Sequence, residues 1–378
     1  MKIHEIFILF FVIFVISSSK KDKDIQEFFK GKNCDPKCTF NSTNLTKRNM
    51  HFFPKSCNQI CAEISLNDKT DLSEQELIFL FQNVKSIIGI LNIISTKYAN
   101  LKFLEGLEAV ECFDDSEVSI LLNYEMTELG LGSLTEVNCD GFSVKVNEKL
   151  KILNMPDIKK MKNPTKPNKE VYVGIADNSN SFCISPLEMY NFLEIPTAGV
   201  DQIYADSYCK MDTICTKLSK NCIWILGDVK ITTNCDLENM KSVEAIFGGI
   251  TISGTNITDF SFLETLKYVA QLEHKPAVVI ENIPNLMNVT FPKLKRVKSD
   301  SSYTMEFENV NPIFTLNSTY CYEIRKSLGL SDWAPKFDGF SCEDLDSNHD
   351  YIVQNQKKKS ENRNGIGAFL IMILYLFI

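Results

Sequence analysis

Histidine is scarce in this chain of 378 residues. Beyond the extreme N-terminus only His51, His274 and His349 occur, far apart and in no metal-binding spacing. The chain has no Gly-x-Ser-x-Gly elbow, no phosphate-binding Gly-x4-Gly-Lys-Ser/Thr loop and no Gly-x-Gly-x-x-Gly string. Those absences remove the usual nucleophile, nucleotide and dinucleotide machinery. The nearest glycine-rich string, Gly130-x-Gly132, falls inside a repeat. One enzyme class survives, the polysaccharide lyases and hydrolases built on stacked β-coils, which need acids clustered on neighbouring rungs. Asp114-Asp115 is the one obvious acidic pair in a rung turn, and no aligned acid follows it. The expectation is therefore a protein without catalysis or cofactor.

Positive charge is also in deficit. Forty Lys and Arg stand against 48 Asp and Glu, a net charge of −8, so there is no basic footprint for nucleic acid. No apolar run reaches the ~20 residues that a membrane-spanning helix needs. Two shorter runs mark the ends. Lys2 and His4 precede an apolar stretch from Ile6 to Ile16, followed by Ser17, Ser18 and Ser19. A basic region, a short apolar core and small residues predict a secretory signal peptide over residues 1–19. At the other end a polar linker, 343–365, leads to a hydrophobic tail, 366–378. That outline suits a GPI-attachment signal, with a short membrane anchor as the alternative. Either would leave no cytoplasmic segment, so the chain is expected to be secreted or held at the cell surface through its tail.

Cysteine, by contrast, is plentiful: 13 residues, all after the N-terminal apolar run. In a secreted chain this density predicts disulfides rather than metal. Cys34-x3-Cys38 and Cys57-x3-Cys61 resemble paired zinc ligands only loosely. Five glycosylation sequons, at Asn41, Asn44, Asn256, Asn288 and Asn317, fit the same compartment.

Self-similarity is the most informative feature. Residues 84–110 align without a gap on 243–269, and ten of the 27 positions are identical, among them Gly89/Gly248, Thr96/Thr255 and Phe103/Phe262. Upstream, Cys57-x-x-Ile60 matches Cys222-x-x-Ile225. Downstream, Val118-x-Ile120 matches Val278-x-Ile280. A finer period runs inside each copy: Val110, Val137 and Met161 occupy equivalent positions 27 and 24 residues apart. One such unit cannot bury its apolar edge, whereas stacked units bury it continuously. Leu91-x-Ile93 and Ile250-x-Ile252 alternate with the period of a strand. Sustained helical periodicity is confined mainly to Leu77–Val84. A leucine-rich-repeat array shares this period, but the asparagine such arrays place inside the turn is not evident, and the spacing drifts. The reading is mainly β: two tandem right-handed β-helix or leucine-rich-repeat-like solenoids, the first holding one rung more than the second.

The string Gly248-x-Ile-x-Ile-x-x-Thr255-x-Ile-x-x-Phe-x-Phe262-Leu263-x-x-Leu266, opened by Cys222 and closed by Cys321 and Cys342, resembles the receptor L domain. This is the module of insulin and epidermal growth factor receptor ectodomains. Tandem L-domain proteins of nematodes, secreted or tethered, are more similar still. The resemblance covers residues 34–342, as a first domain 34–209 and a second 210–342. It is weaker in the first copy, where Cys61 replaces an aliphatic residue, and neither a furin-like cysteine-rich region nor a kinase is present.

That resemblance and the duplication imply closing bridges Cys183–Cys209 and Cys321–Cys342 and entry bridges Cys38–Cys57 and Cys215–Cys222. Cys112 and Cys139 each follow an equivalent rung position by two residues, which places them on neighbouring rungs. The partners of Cys34, Cys61 and Cys235 stay open, with Cys34–Cys61 the first choice. The implied function is a non-catalytic extracellular ligand-binding protein whose partner is a secreted peptide or protein. An insulin-like peptide is the first candidate, with the chain as decoy, carrier or co-receptor. The alternative is a structural or adhesive protein of an extracellular coat or matrix. Which residues would touch a ligand is not legible at this level.

Overall fold

The structure, a computed structural model, describes residues 23–347. The expected signal peptide, the linker from residue 348 onward and the hydrophobic tail lie outside the described residues. The chain divides into two compact units after Cys209. Both are mainly β, built from parallel ladders in which each strand pairs with the equivalent strand of the next coil.

In the first unit the apolar positions fall into columns. Ile60 pairs with Ile87, Ile87 with Val110, Val110 with Val137 and Val137 with Met161, each at most 1% exposed. A second column runs Leu66, Ile93, Ile120, Val144, Ile175, every member fully buried. Parallel pairing forces this arrangement, because a repeat returning to the same register sets like residue over like. Each fully buried aliphatic side chain then contributes about 1.5–3 kcal/mol.

Two strands, Gln59–Leu66 and Ser86–Ile94, run through both faces of a coil. Ser86–Gly89 pairs with Ala109–Cys112 in the short ladder, and Asn92–Ile94 pairs with Ser119–Leu121 in the long one. The corner falls at Gly89, with φ of 138°. A Cβ there would lie 2.1 Å from the Ala62 carbonyl oxygen. Gly248, its equivalent, has φ of 152°, and a Cβ would lie 2.5 Å from the Gly227 carbonyl. Only glycine fits this bend, which accounts for its identity in both copies.

Four long-ladder strands of the first unit are each followed by a turn residue of positive φ: Ser95, Leu122, Val146 and Asp177. The next residue points its side chain inward. Asn123 Oδ1 accepts from the Thr96 amide and hydroxyl. Asn147 Oδ1 accepts from the Asn123 amide and side chain, and Asn178 Oδ1 does the same for Asn147. The three side-chain amides also donate to the carbonyls of Ile93, Ile120 and Val144. The turn asparagine not evident in the sequence is therefore present, as a ladder of three. Its spacing of 24 and then 31 residues, with different neighbours each time, conceals it. The ladder satisfies backbone groups at turns where Leu122 and Val146 adopt a conformation unfavourable for their side chains.

The helix expected within 77–84 runs from Glu74 to Phe81, opened by a capping box of Ser73 and Glu76. Pro186–Glu194 begins with an equivalent box, Ser185 and Glu188. Glu188, 3% exposed, also accepts from the Met155 amide and so ties this helix to the preceding coil.

The second unit repeats the scheme. Ile225, Ile246, Val269 and Val297 form one column. Ile231, Ile252, Ile280, Phe307 and Phe337 form the other. It ends on stacked rings, Phe307 and Phe337, at 4.4 Å. Its short ladder has four members where the first unit, counting the front halves of the two continuous strands, has five. Helices Thr319–Leu328 and Cys342–Ser347 close the unit. The Arg325 guanidinium, 11% exposed, holds this end together through Glu343 and the carbonyls of Asp332 and Ala334. Described structure thus continues through Ser347, with Leu345 buried in the core.

Candidate ligand-binding surfaces

Twelve of the cysteines are joined in pairs: Cys34–Cys61, Cys38–Cys57, Cys112–Cys139, Cys183–Cys209, Cys215–Cys222 and Cys321–Cys342. Cys112 and Cys139 sit on adjacent rungs with Cα atoms 4.8 Å apart. The thirteenth, Cys235, is a half-buried free thiol that accepts from the Thr232 amide. Among the described residues no group of three His, Cys, Asp or Glu is placed to hold a metal ion. Of the acidic turn pair, Asp115 is engaged structurally: it binds Lys166 and the Thr165 hydroxyl, and the Lys166 hydrogen bond, then that from Thr165, holds its carboxyl below the usual range.

Four of the sequon asparagines, Asn41, Asn256, Asn288 and Asn317, are exposed. Asn44 is half-buried, and its side-chain oxygen accepts from Asn67.

Each long ladder turns one set of side chains outward, as strand alternation requires. In the first unit Ser65, Asn92, Ser119, Ser143 and Gly174 pair in register across five strands. The row is small-sided throughout. Glu117 anchors it by accepting from the Ser119 and Ser143 hydroxyls at 3.1 and 2.9 Å. Lys145 and Tyr172, joined at 2.5 Å, lie over Gly174, so that Ser119, Ser143 and Gly174 are buried while Ser65 and Asn92 stay half-exposed. Toward the N-terminal edge the helix spanning 23–31 lies on the outward face, with Ile25 and Phe29 packed against Cys61, Ile88 and Ile90. The Cys34–Cys61 bridge holds the chain just beyond it.

In the second unit the outward rows differ in charge. Ser253, Glu281 and Glu308 form one row, and Lys230, Thr251, Val279, Glu306 and Lys336 the other. Three carboxylates thus crowd one patch of the sheet. Burial, and after it the neighbouring Glu308 charge, push the Glu306 carboxyl above its usual range. None of these outward residues stood out in the sequence. Alternation identifies them only once the ladder that carries them is known.

Two parallel ladders per coil, glycine corners and disulfide-closed ends define a tandem L-domain protein, and the comparisons agree. The receptor L domain family profile matches residues 56–162 and 221–328, over half of the chain, and the chain belongs to that family. It is 22% identical over 337 residues to protein irld-34 of Caenorhabditis elegans, covering 84% of this chain and 78% of that protein. Among the described residues no helix is long and apolar enough to cross a membrane.

Proposed function

We propose that this chain is a non-catalytic extracellular protein that captures a secreted peptide or small protein on the outward faces of its long ladders. In this reading both solenoids coil right-handed, and six disulfides suit an oxidising compartment. The observation that carries the proposal is the row Ser65, Asn92, Ser119, Ser143, Gly174. Its half-exposed members Ser65 and Asn92 are open to a partner, beside the Glu117, Lys145 and Tyr172 side chains that cover Ser119, Ser143 and Gly174, and the rigid rungs lose little entropy on binding. The second unit's carboxylates favour a partner with a basic segment. An insulin-like peptide has suitable size, and the family is shared with insulin-receptor L domains. The role would then be decoy, carrier or co-receptor, with the C-terminal tail as a membrane tether.

The test is surface plasmon resonance of the secreted protein against a panel of secreted peptides that includes insulin-like ones. Saturable binding at micromolar Kd or tighter, lost at least tenfold in Asn92→Trp or in Glu281→Lys/Glu308→Lys, supports the reading. A flat response to every peptide, together with saturable binding to collagen or chitin, overturns it in favour of an adhesive coat protein.

A further inference from the structure

The first unit carries a second concave feature on its short ladder, separate from the outward faces discussed above. It is a groove of about 670 Å³, within the ~300–1,000 Å³ typical of ligand pockets. Its floor comes from outward residues of three successive strands. Glu111, Asn138 and Lys162 stand in one register column, Glu136 and Lys160 in the next.

Charge on this floor is only partly balanced. Lys32 pairs with Glu111, and Lys160 with Glu136 at 2.5 Å. Lys159 and Lys162 also line the groove, and neither has a carboxylate partner among the described residues. The groove is therefore positive by two charges in a protein of net charge −8. The Glu136 carboxyl stays ionised despite the burial that raises it, because Lys160, Asn138 and the Lys162 charge together bring it below the usual range.

Asn138 adds a polar demand. Its Nδ2 donates to Glu136 at 2.7 Å, while its Oδ1, shielded from solvent, has no hydrogen-bond partner. An orphaned acceptor of this kind is unfavourable, and a ligand N–H would satisfy it. The exposed wall is apolar, formed by Pro164, Pro167 and Pro196, with Met161 and Ile195 buried behind it.

We infer that this groove binds a short acidic peptide segment, its carboxylates held by Lys159 and Lys162, one backbone N–H donated to Asn138 Oδ1, and an apolar side chain laid against the proline-lined wall. A sulfated sugar would satisfy the lysines but leave that wall uncovered.

The experiment uses the purified secreted protein and a fluorescent acetyl-Asp-Leu-Glu-Ile-amide probe, read by anisotropy. A Lys-Leu-Lys-Ile analogue and a heparin tetrasaccharide serve as competitors. Saturable binding of the acidic probe is expected, weakened at least tenfold in Lys159→Glu/Lys162→Glu and about fivefold in Asn138→Leu, with neither competitor displacing it. Both lysines are exposed, so the double variant should keep the wild-type melting temperature; Lys159→Gln/Lys162→Gln serves if it does not. Absence of saturable probe binding, unchanged affinity in the folded lysine variants, or displacement by heparin would overturn the assignment.

Discussion

The Thr96 hydroxyl donates to Asn123 Oδ1 at 2.7 Å across one coil, whereas the equivalent Thr255 hydroxyl is buried without a partner. The reason lies one coil on. Ile252 pairs with Ile280, so the residue reached from Thr255 is Ile283, in the place that Asn123 fills in the first unit. Thr96→Val should destabilise the first unit by about 0.5–1.5 kcal/mol, since it removes one of the two hydrogen bonds to the buried Asn123 Oδ1 and leaves that of the Thr96 amide. Thr255→Val should be neutral or slightly stabilising. Urea denaturation of both variants, followed by hydrogen exchange to separate the units, decides; equal losses at the two sites would refute the equivalence.

Asn147 occupies the middle of the ladder and is fully buried. It accepts twice from Asn123 and donates to Ile120 and Asn178. Asn147→Ala should therefore cost about 3 kcal/mol or more, with unpaired groups left on both sides. Amide exchange should accelerate first at Asn123 and in the turn after Lys145. A loss below ~1 kcal/mol would mean that the ladder is incidental.

Glu306 links stability to pH with an unusual sign. Its folded pKa is raised, so ionisation is penalised in the native state. The penalty is absent below the unfolded value, near ~4.3, and grows as pH rises through the folded one. Glu306→Gln should thus stabilise the second unit at pH 7 and have little effect at pH 3.5. Thermal melts at the two values provide the check. The same substitution should weaken a basic partner, which makes stability and binding move in opposite directions.

Cysteine chemistry offers a direct assay. Alkylation in denaturant without reductant should label one thiol per chain, at Cys235. Peptide mapping should then recover the six bridges, and loss of one rung bridge through Cys112→Ala/Cys139→Ala should cost about 2–4 kcal/mol. Several labelled thiols, or a disulfide dimer through Cys235 on a non-reducing gel, would contradict this arrangement.

Much of the architecture could be read from residues alone because duplication and register are the same fact seen twice. Val110, Val137 and Met161 recur in sequence and then pair in the ladder. Gly89 and Gly248 were visible as an identity, although the reason, a corner closed against a neighbouring carbonyl, is purely spatial. The asparagine ladder leaves no legible trace in the sequence because its members share no flanking pattern. The short helices leave none either: the segment 23–31 and Thr319–Leu328 each hold only two or three turns, too few for periodicity to register.

The sequence by itself determined the class of the fold, its duplication and its inward-facing columns, because burial selects apolar residues at every repeat and leaves a periodic record. Tertiary structure alone decided the outward surfaces: the small row of the first unit, the carboxylate patch of the second and the lysine groove on the short ladder. Such residues are chosen for what they meet across neighbouring coils, 24 to 31 residues away in the chain. Their chemistry repeats at no fixed period, so only the register of the stacked strands brings them together.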